Sequence, residues 1–370
     1  MNIEIISFTG DSGLADYAVS MARALAALAN VTVVTADSLP RHFDTMGFQV
    51  ERVFRRSRNF PTDIIKFIQG VYVRKPDWLI FQGPLKFAGI DALIVYFLRR
   101  CGIRCAITVH DVLPHYPRFW SKYEYSLYYR AFDKVIAHSH AAAQQLKNMG
   151  IVKPILVVPH GIYDIFHLSG INQQEARSHF PALRPTDTVV LFFGNLESRK
   201  GLWTLLDAAE ELLATEGAEC SGAFKFLIAG APHLSQSGPG AIERLQKAGN
   251  QANIILHAHR IEFEEVERYF TAANIVAMPY LEGTTSGVLK LAIAFNKPVI
   301  ATTVGDFPEQ IPNDVGILID PDPKQKQLTQ ALLTMRSNKH LFTNNLHNQN
   351  QHAQWPSIAH QVLKHLKAPN

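Results

Sequence analysis

The chain is expected to fold as an α/β protein of two doubly wound domains, each a parallel sheet covered by helices, facing each other across a cleft. Three observations predict this. The 370 residues are too many for one typical domain and suit two. Short, nearly all-apolar runs recur through both halves with helix-length segments between them, the pattern of parallel strands buried on both faces. Small residues sit where strands turn into helices, and in open α/β sheets such loops line the ligand crevice.

In the first half, residues 3–8 form an apolar run followed by Gly10-Asp11-Ser12-Gly13. Leu14, Tyr17, Ala18, Met21, Leu25 and Leu28 then recur at helical spacing. Further strands are expected at 31–35, 78–81, 106–109, 135–137 and 155–158. The second half repeats the scheme at 189–193, 224–229, 254–256, 275–278, 299–301 and 316–318. Residues 161–185 have weak periodicity and scattered polar side chains, and are expected to link the halves.

No run of about eighteen apolar residues is present, so no membrane-spanning helix is expected. The N-terminus reads as a first strand, without the basic region and long apolar stretch of a signal peptide, so the expected location is the cytoplasm. Cys101, Cys105 and Cys220 are odd in number and lack the further Cys or His partners of a zinc site; reduced thiols are expected. Residues 1–168 hold 19 Lys+Arg against 13 Asp+Glu, and the remainder 17 against 19, so the first half is the basic one.

Two segments of the second half point to a phosphate ligand. The first is Phe192-Phe193-Gly194-Asn195-Leu196-Glu197-Ser198-Arg199-Lys200-Gly201. The second is Glu282-Gly283-Thr284-Thr285-Ser286-Gly287-Val288, running into Lys297-Pro298-Val299-Ile300-Ala301-Thr302. A strand-to-helix turn aims free backbone N–H groups and the positive end of a helix dipole at one spot, which suits an anion. Arg199 and Lys200 add full positive charge. Two such turns imply a diphosphate-carrying ligand.

With Thr108-Val109-His110-Asp111, Ala137-His138-Ser139, Val158-Pro159-His160-Gly161 and Val304-Gly305…Pro308-Glu309 in order, the whole chain resembles glycosyltransferase family 4. That resemblance implies the GT-B fold, a nucleotide-sugar donor, retention of anomeric configuration, and neither metal nor cofactor. The implied division is 1–165, an acceptor-side domain; 166–350, the donor domain; and 351–370, a helix packing back toward the first domain. Carried over residue by residue, Lys200 contacts the donor diphosphate, Gly194 admits a phosphate to the backbone, and His110 contacts the donor sugar near the reacting carbon. Glu282 grips the donor sugar. Thr285, Ser286, Gly287 and Val288 form the second anion turn, Gly13 closes over the phosphates, and Arg260 and Ile261 meet the base. Two positions depart from the family: Asn195 stands where an arginine is usual, which loses a positive charge and leaves open whether Arg199 compensates, and Leu291 stands where a second glutamate would hold the ribose.

Such a transferase needs no strong base, because the leaving diphosphate helps deprotonate the acceptor. The chain offers no His-x-x-x-His or Cys cluster that would demand a metal. The implied acceptor is a lipid-linked or free saccharide in polysaccharide synthesis, and no nucleic acid partner is expected. Arg52, Arg55, Arg56 and Arg58 lie around Phe54 and Phe60, Arg99, Arg100 and Arg104 follow an apolar helix, and residues 116–132 interleave Arg118, Lys122 and Arg130 with Trp and Tyr. Basic residues mixed with aromatics suit a headgroup interface, so peripheral contact with the inner leaflet is expected. Two other readings share these features: a GT-B nucleotide-sugar 2-epimerase and a non-catalytic nucleotide-sugar-binding module.

Overall fold

A computed structural model describes residues 1–55, 57–114, 118–217, 222–234, 239–283, 286–321, 325–352 and 354–369. The chain divides into two compact units, Met1–Tyr163 with Ala353–Asn370, and Asp164–His352.

The first unit runs β1 (Asn2–Ile6), α1 (Gly13–Ala26), β2 (Asn30–Ala36), β3 (Gln49–Phe54), α2 (Phe60–Arg74), β4 (Trp78–Phe81), α3 (Ala88–Arg100), β5 (Arg104–Val109), α4 (Ser121–Arg130), β6 (Lys134–Ala137), α5 (His140–Asn148) and β7 (Ile155–Val157). These seven strands form a parallel sheet in the order β3-β2-β1-β4-β5-β6-β7. Interior strands such as β4 are buried on both faces, which is why they carry only Trp, Leu, Ile and Phe. Strand β3 is absent from the sequence expectation. It lies at the sheet edge, and Gln49-Val50-Glu51-Arg52-Val53-Phe54 mixes polar with apolar residues instead of forming an apolar run.

The second unit runs α6 (Gln173–Ser178), β8 (Thr188–Phe193), α7 (Leu202–Glu216), β9 (Phe224–Ala229), α8 (Ala241–Gly249), β10 (Ile254–His257), α9 (Val266–Ala272), β11 (Ile275–Met278), α10 (Gly287–Ala294), β12 (Val299–Thr302), α11 (Phe307–Gln310), β13 (Gly316–Ile319) and α12 (Gln325–His352). Its six parallel strands are ordered β10-β9-β8-β11-β12-β13. All six were legible as apolar runs. The final helix α13 (Trp355–Lys367) returns to the first unit and packs on α1.

The weakly periodic segment 161–185 is not a loose tether. From Asp164 onward it is part of the second unit, held by the buried Arg177 guanidinium. Arg177 donates to the carbonyls of Ala272, Arg184, Pro185 and Asp187 and to Asn274 Oδ1. A buried cation is tolerated only when its donors are met in this way.

Both sheets reverse their strand order once, between β1 and β4 and between β8 and β11. The loops after those strands are where a doubly wound sheet binds ligands.

Candidate active site

In the second unit the two anion turns follow β8 and β11, the strands on either side of the switch point. Gly194 ends β8 with φ +95°, and a Cβ there would lie 3.1 Å from Lys200 Nζ and 3.6 Å from Val288 on α10. The structure therefore brings Gly194, Lys200 and Val288 together. Lys200 Nζ sits 5.5 Å from the Tyr280 ring centroid, on the face of the ring. It makes no hydrogen bond or ion pair among the described residues. A half-buried cation held against an aromatic ring, with its N–H groups unspent, is a ready anion ligand.

Arg199 differs from its neighbour. It forms a bidentate ion pair with Glu197, 2.9 Å on each arm, with both side chains largely buried. Its carbonyl accepts from Leu281 N–H at 2.7 Å and Glu282 N–H at 3.4 Å, tying the two turns together through the backbone. Arg199 thus acts on the site as scaffold, and its charge is neutralised locally. Gly201 completes the turn at φ +72°, with its Cβ direction 1.9 Å from the Pro279 carbonyl oxygen, so only glycine fits there. Ser286 holds the N-cap position of α10 without a side-chain capping bond, its Oγ 3.4 Å from Tyr280 Oη, while Thr302 donates to the Tyr280 carbonyl. Gly287 and Val288 open α10.

In the first unit His110 follows β5 and is half-buried. Its Nε2 lies 3.1 Å from Gln82 Oε1, and Gln82 follows β4 at the switch point. The Tyr17 ring packs edge-on against His110 at 4.7 Å and also meets His138, His160 and Trp355. Burial, and the neighbouring His138, hold the His110 pKa well below the usual imidazole range, so the ring is neutral. Burial likewise raises the Tyr17 phenol far above its ordinary value. His160 is buried, with Nδ1 2.7 Å from the Gly161 carbonyl, as suits a structural turn. Gly13 begins α1, and its carbonyl accepts from Tyr163 Oη at 2.9 Å.

Two family models match this chain: "Glycosyltransferase Family 4" over residues 12–164 and "Glycosyl transferases group 1" over residues 187–338. The chain belongs to glycosyltransferase family 4. Its relatives include the D-inositol 3-phosphate glycosyltransferase of Mycobacterium sp. (strain JLS), 29% identical over 196 residues, which are 51% of this chain and 41% of that protein. The match thus spans less than half the length of that relative. Among solved structures, Anabaena HepE with UDP and glucose superposes with a TM-score of 0.77 at 17% identity, over 99% of each chain. The sucrose-phosphate synthase of Thermosynechococcus elongatus superposes with 0.74 at 20% identity, over 98% of each. These likenesses establish the GT-B fold.

The remaining family 4 positions are placed less tightly. Glu282 is exposed, and its side chain makes no bond among the described residues. Arg260 is exposed, with Nε 4.0 Å from Glu262, and Ile261 adjoins it beyond β10. Thr285 lies outside the described residues. Leu291 is 6% exposed, and its neighbour Lys290 is buried against Gln310, where loss of water lowers its pKa to about 8. Among the described residues no group of three His, Cys, Asp or Glu is placed to hold a metal. Gln82 and Tyr280 escaped the sequence reading. Each directly follows or closely follows an apolar strand at a switch point, which was the available signal.

Proposed function

We propose that this chain transfers a hexose, with retention, from a UDP- or GDP-linked donor to a lipid-linked or saccharide acceptor in polysaccharide or glycoconjugate synthesis. The observation that carries the reading is the unspent Lys200 ammonium poised over Gly194 beside the start of α10. A diphosphate there would take charge-assisted bonds from Lys200 and backbone N–H groups from the turns, and both strengthen as the leaving group gains charge. The bond from the sugar carbon to the diphosphate breaks, the acceptor hydroxyl oxygen bonds to that carbon, and its proton passes to a diphosphate oxygen. The neutral His110 would orient the donor sugar, and Glu282 would grip its hydroxyls. HepE is a protein that binds UDP-glucose, which favours the uridine donor. A lipid-linked acceptor would put the work at the inner leaflet from the cytoplasmic side. Among the described residues no helix is long and apolar enough to cross a membrane, so contact there would be peripheral.

The test is release of nucleoside diphosphate from UDP- and GDP-hexoses. Lys200→Ala is expected to lower kcat/KM roughly 100- to 1,000-fold, the usual cost of removing one charge-stabilising donor. An unaffected variant refutes the assignment. Consumption of UDP-N-acetylglucosamine without acceptor would instead indicate an epimerase, and donor-induced thermal stabilisation without turnover a binding module.

A further inference from the structure

We propose that the outward face of α3 and α4 is a docking surface for an anionic bilayer. The proposal rests on the lipid-linked acceptor suggested above and names the surface that would bring the protein to it.

The sheet order fixes the two helices side by side. Strands β4, β5 and β6 are consecutive neighbours, so right-handed crossovers carry α3 and α4 across the same face, where they pack on each other. Gly89 N–H at the start of α3 donates to Glu124 of α4 at 3.2 Å. Their inner sides supply Ala92, Val95 and Leu98, and Tyr128 and Tyr129, to the core. Their outer sides are apolar too. Ile90, Leu93 and Phe97 recur at helical spacing on α3, and Tyr123 and Leu127 on α4, with Phe119 just before it. Leu93 is 69% exposed, Tyr123 81% and Phe119 90%. Single exposed apolar residues are ordinary; a run across two adjacent helices marks an interaction site.

Charge selects the partner. The two carboxylates on these helices are both drawn inward: Asp91 is fully buried and accepts from Lys86 N–H at 3.0 Å, and Glu124 is taken by Gly89. The cations stay outside. Arg100, Arg118 and Lys122 are exposed, with Arg100 lying over the Tyr96 ring and Arg118 over Trp120. An apolar surface with cations at its border and no exposed carboxylate on either helix complements anionic headgroups over acyl chains. It suits a second copy poorly, since a two-fold contact would set its cations against themselves. The surface keeps part of the one expected from sequence, namely Arg100, Arg118, Phe119, Lys122 and Tyr123. Tyr128 and Tyr129 of the 116–132 segment are core, while Arg52 and Arg55 are paired with Asp44 and Asp63.

The full chain should be sedimented with vesicles of phosphatidylcholine containing phosphatidylglycerol, and with phosphatidylcholine alone. Binding is expected to the anionic vesicles, to weaken at high salt, and to fall at least about tenfold when Leu93→Glu and Tyr123→Glu are combined, because two apolar anchors are lost. Ile242→Glu, at an exposed apolar position in the second unit, should bind as the unchanged protein does. All three proteins should release nucleotide from soluble donor at equal rates. If the double variant binds normally, this face is excluded while the lipid-acceptor reading survives. If the unchanged protein ignores anionic vesicles at low salt yet turns over donor, membrane docking falls and the transferase reading stands. If the protein is a dimer that the double variant splits, the face is a self-association surface and the proposal is overturned.

Discussion

The properties of His110 are set by what surrounds it. Burial keeps the imidazole neutral, so only one ring nitrogen bears a proton. Gln82 presents its carbonyl oxygen to Nε2 and so assigns the proton there, leaving the Nδ1 lone pair as the acceptor that the proposed donor-sugar contact would use. Because the folded pKa lies well below the usual value, turnover of the unchanged enzyme should show no loss from His110 protonation between about pH 6 and 8. Gln82→Glu would place a carboxylate on Nε2, raise the His110 pKa, and make kcat fall with decreasing pH where that of the unchanged enzyme does not. Gln82→Leu should lower kcat roughly tenfold at every pH, the scale of one hydrogen bond. Superimposable pH profiles for the unchanged enzyme and Gln82→Glu would refute this role. Lys200 obeys a different logic at the same scale: its neighbour Arg199 is neutralised by Glu197, so the turn keeps one unpaired cation and not two.

At the scale of elements, the turn from β8 to α7 depends on Gly201. Alanine there would adopt a left-handed conformation and press its Cβ into the Pro279 carbonyl. Strain and overpacking together should cost about 3 kcal/mol and push apart the two anion turns. Gly201→Ala is therefore expected to lower the unfolding midpoint and abolish stabilisation by UDP; a variant with unchanged Tm and donor response would contradict this. The strands around this turn were legible in sequence because parallel strands buried on both faces must be apolar throughout. Edge strand β3 was not, since half of it faces water. The anion turns were legible because glycine and lysine spacing reports local backbone geometry. Gln82, Tyr280 and the Arg199–Glu197 pair were not, because they depend on which strands become neighbours and which side chains then meet. The aromatic segment 116–132 was legible only in part for a related reason: helical spacing shows that a face is apolar without showing which of two apolar faces is turned inward, and Tyr128 and Tyr129 are the ones that join the core.

At the scale of the whole molecule, the first unit is completed by a helix that lies beyond the second unit in the chain. Trp355, Ile358, Ala359, Val362, Leu363 and Leu366 of α13 are buried, and Trp355 donates to the Ile162 carbonyl at 2.6 Å. The buried Lys134 ammonium donates to the carbonyls of Ala368 and Pro369. Removing residues 353–370 would expose this apolar surface and leave Lys134 without those partners. The loss, roughly 10 kcal/mol for six side chains, is comparable to the stability of an entire domain. Calorimetry of the shortened chain should show the second unit melting cooperatively and no such transition for the first; two intact transitions would refute this. The same threading sets an order of events at the ribosome. Every residue of the second unit emerges before α13 does, so that unit can finish folding while the first still waits for its closing helix. At typical synthesis rates that wait lasts about 1–4 s. The unfinished first sheet with its uncovered α1 is therefore the species that chaperones would meet.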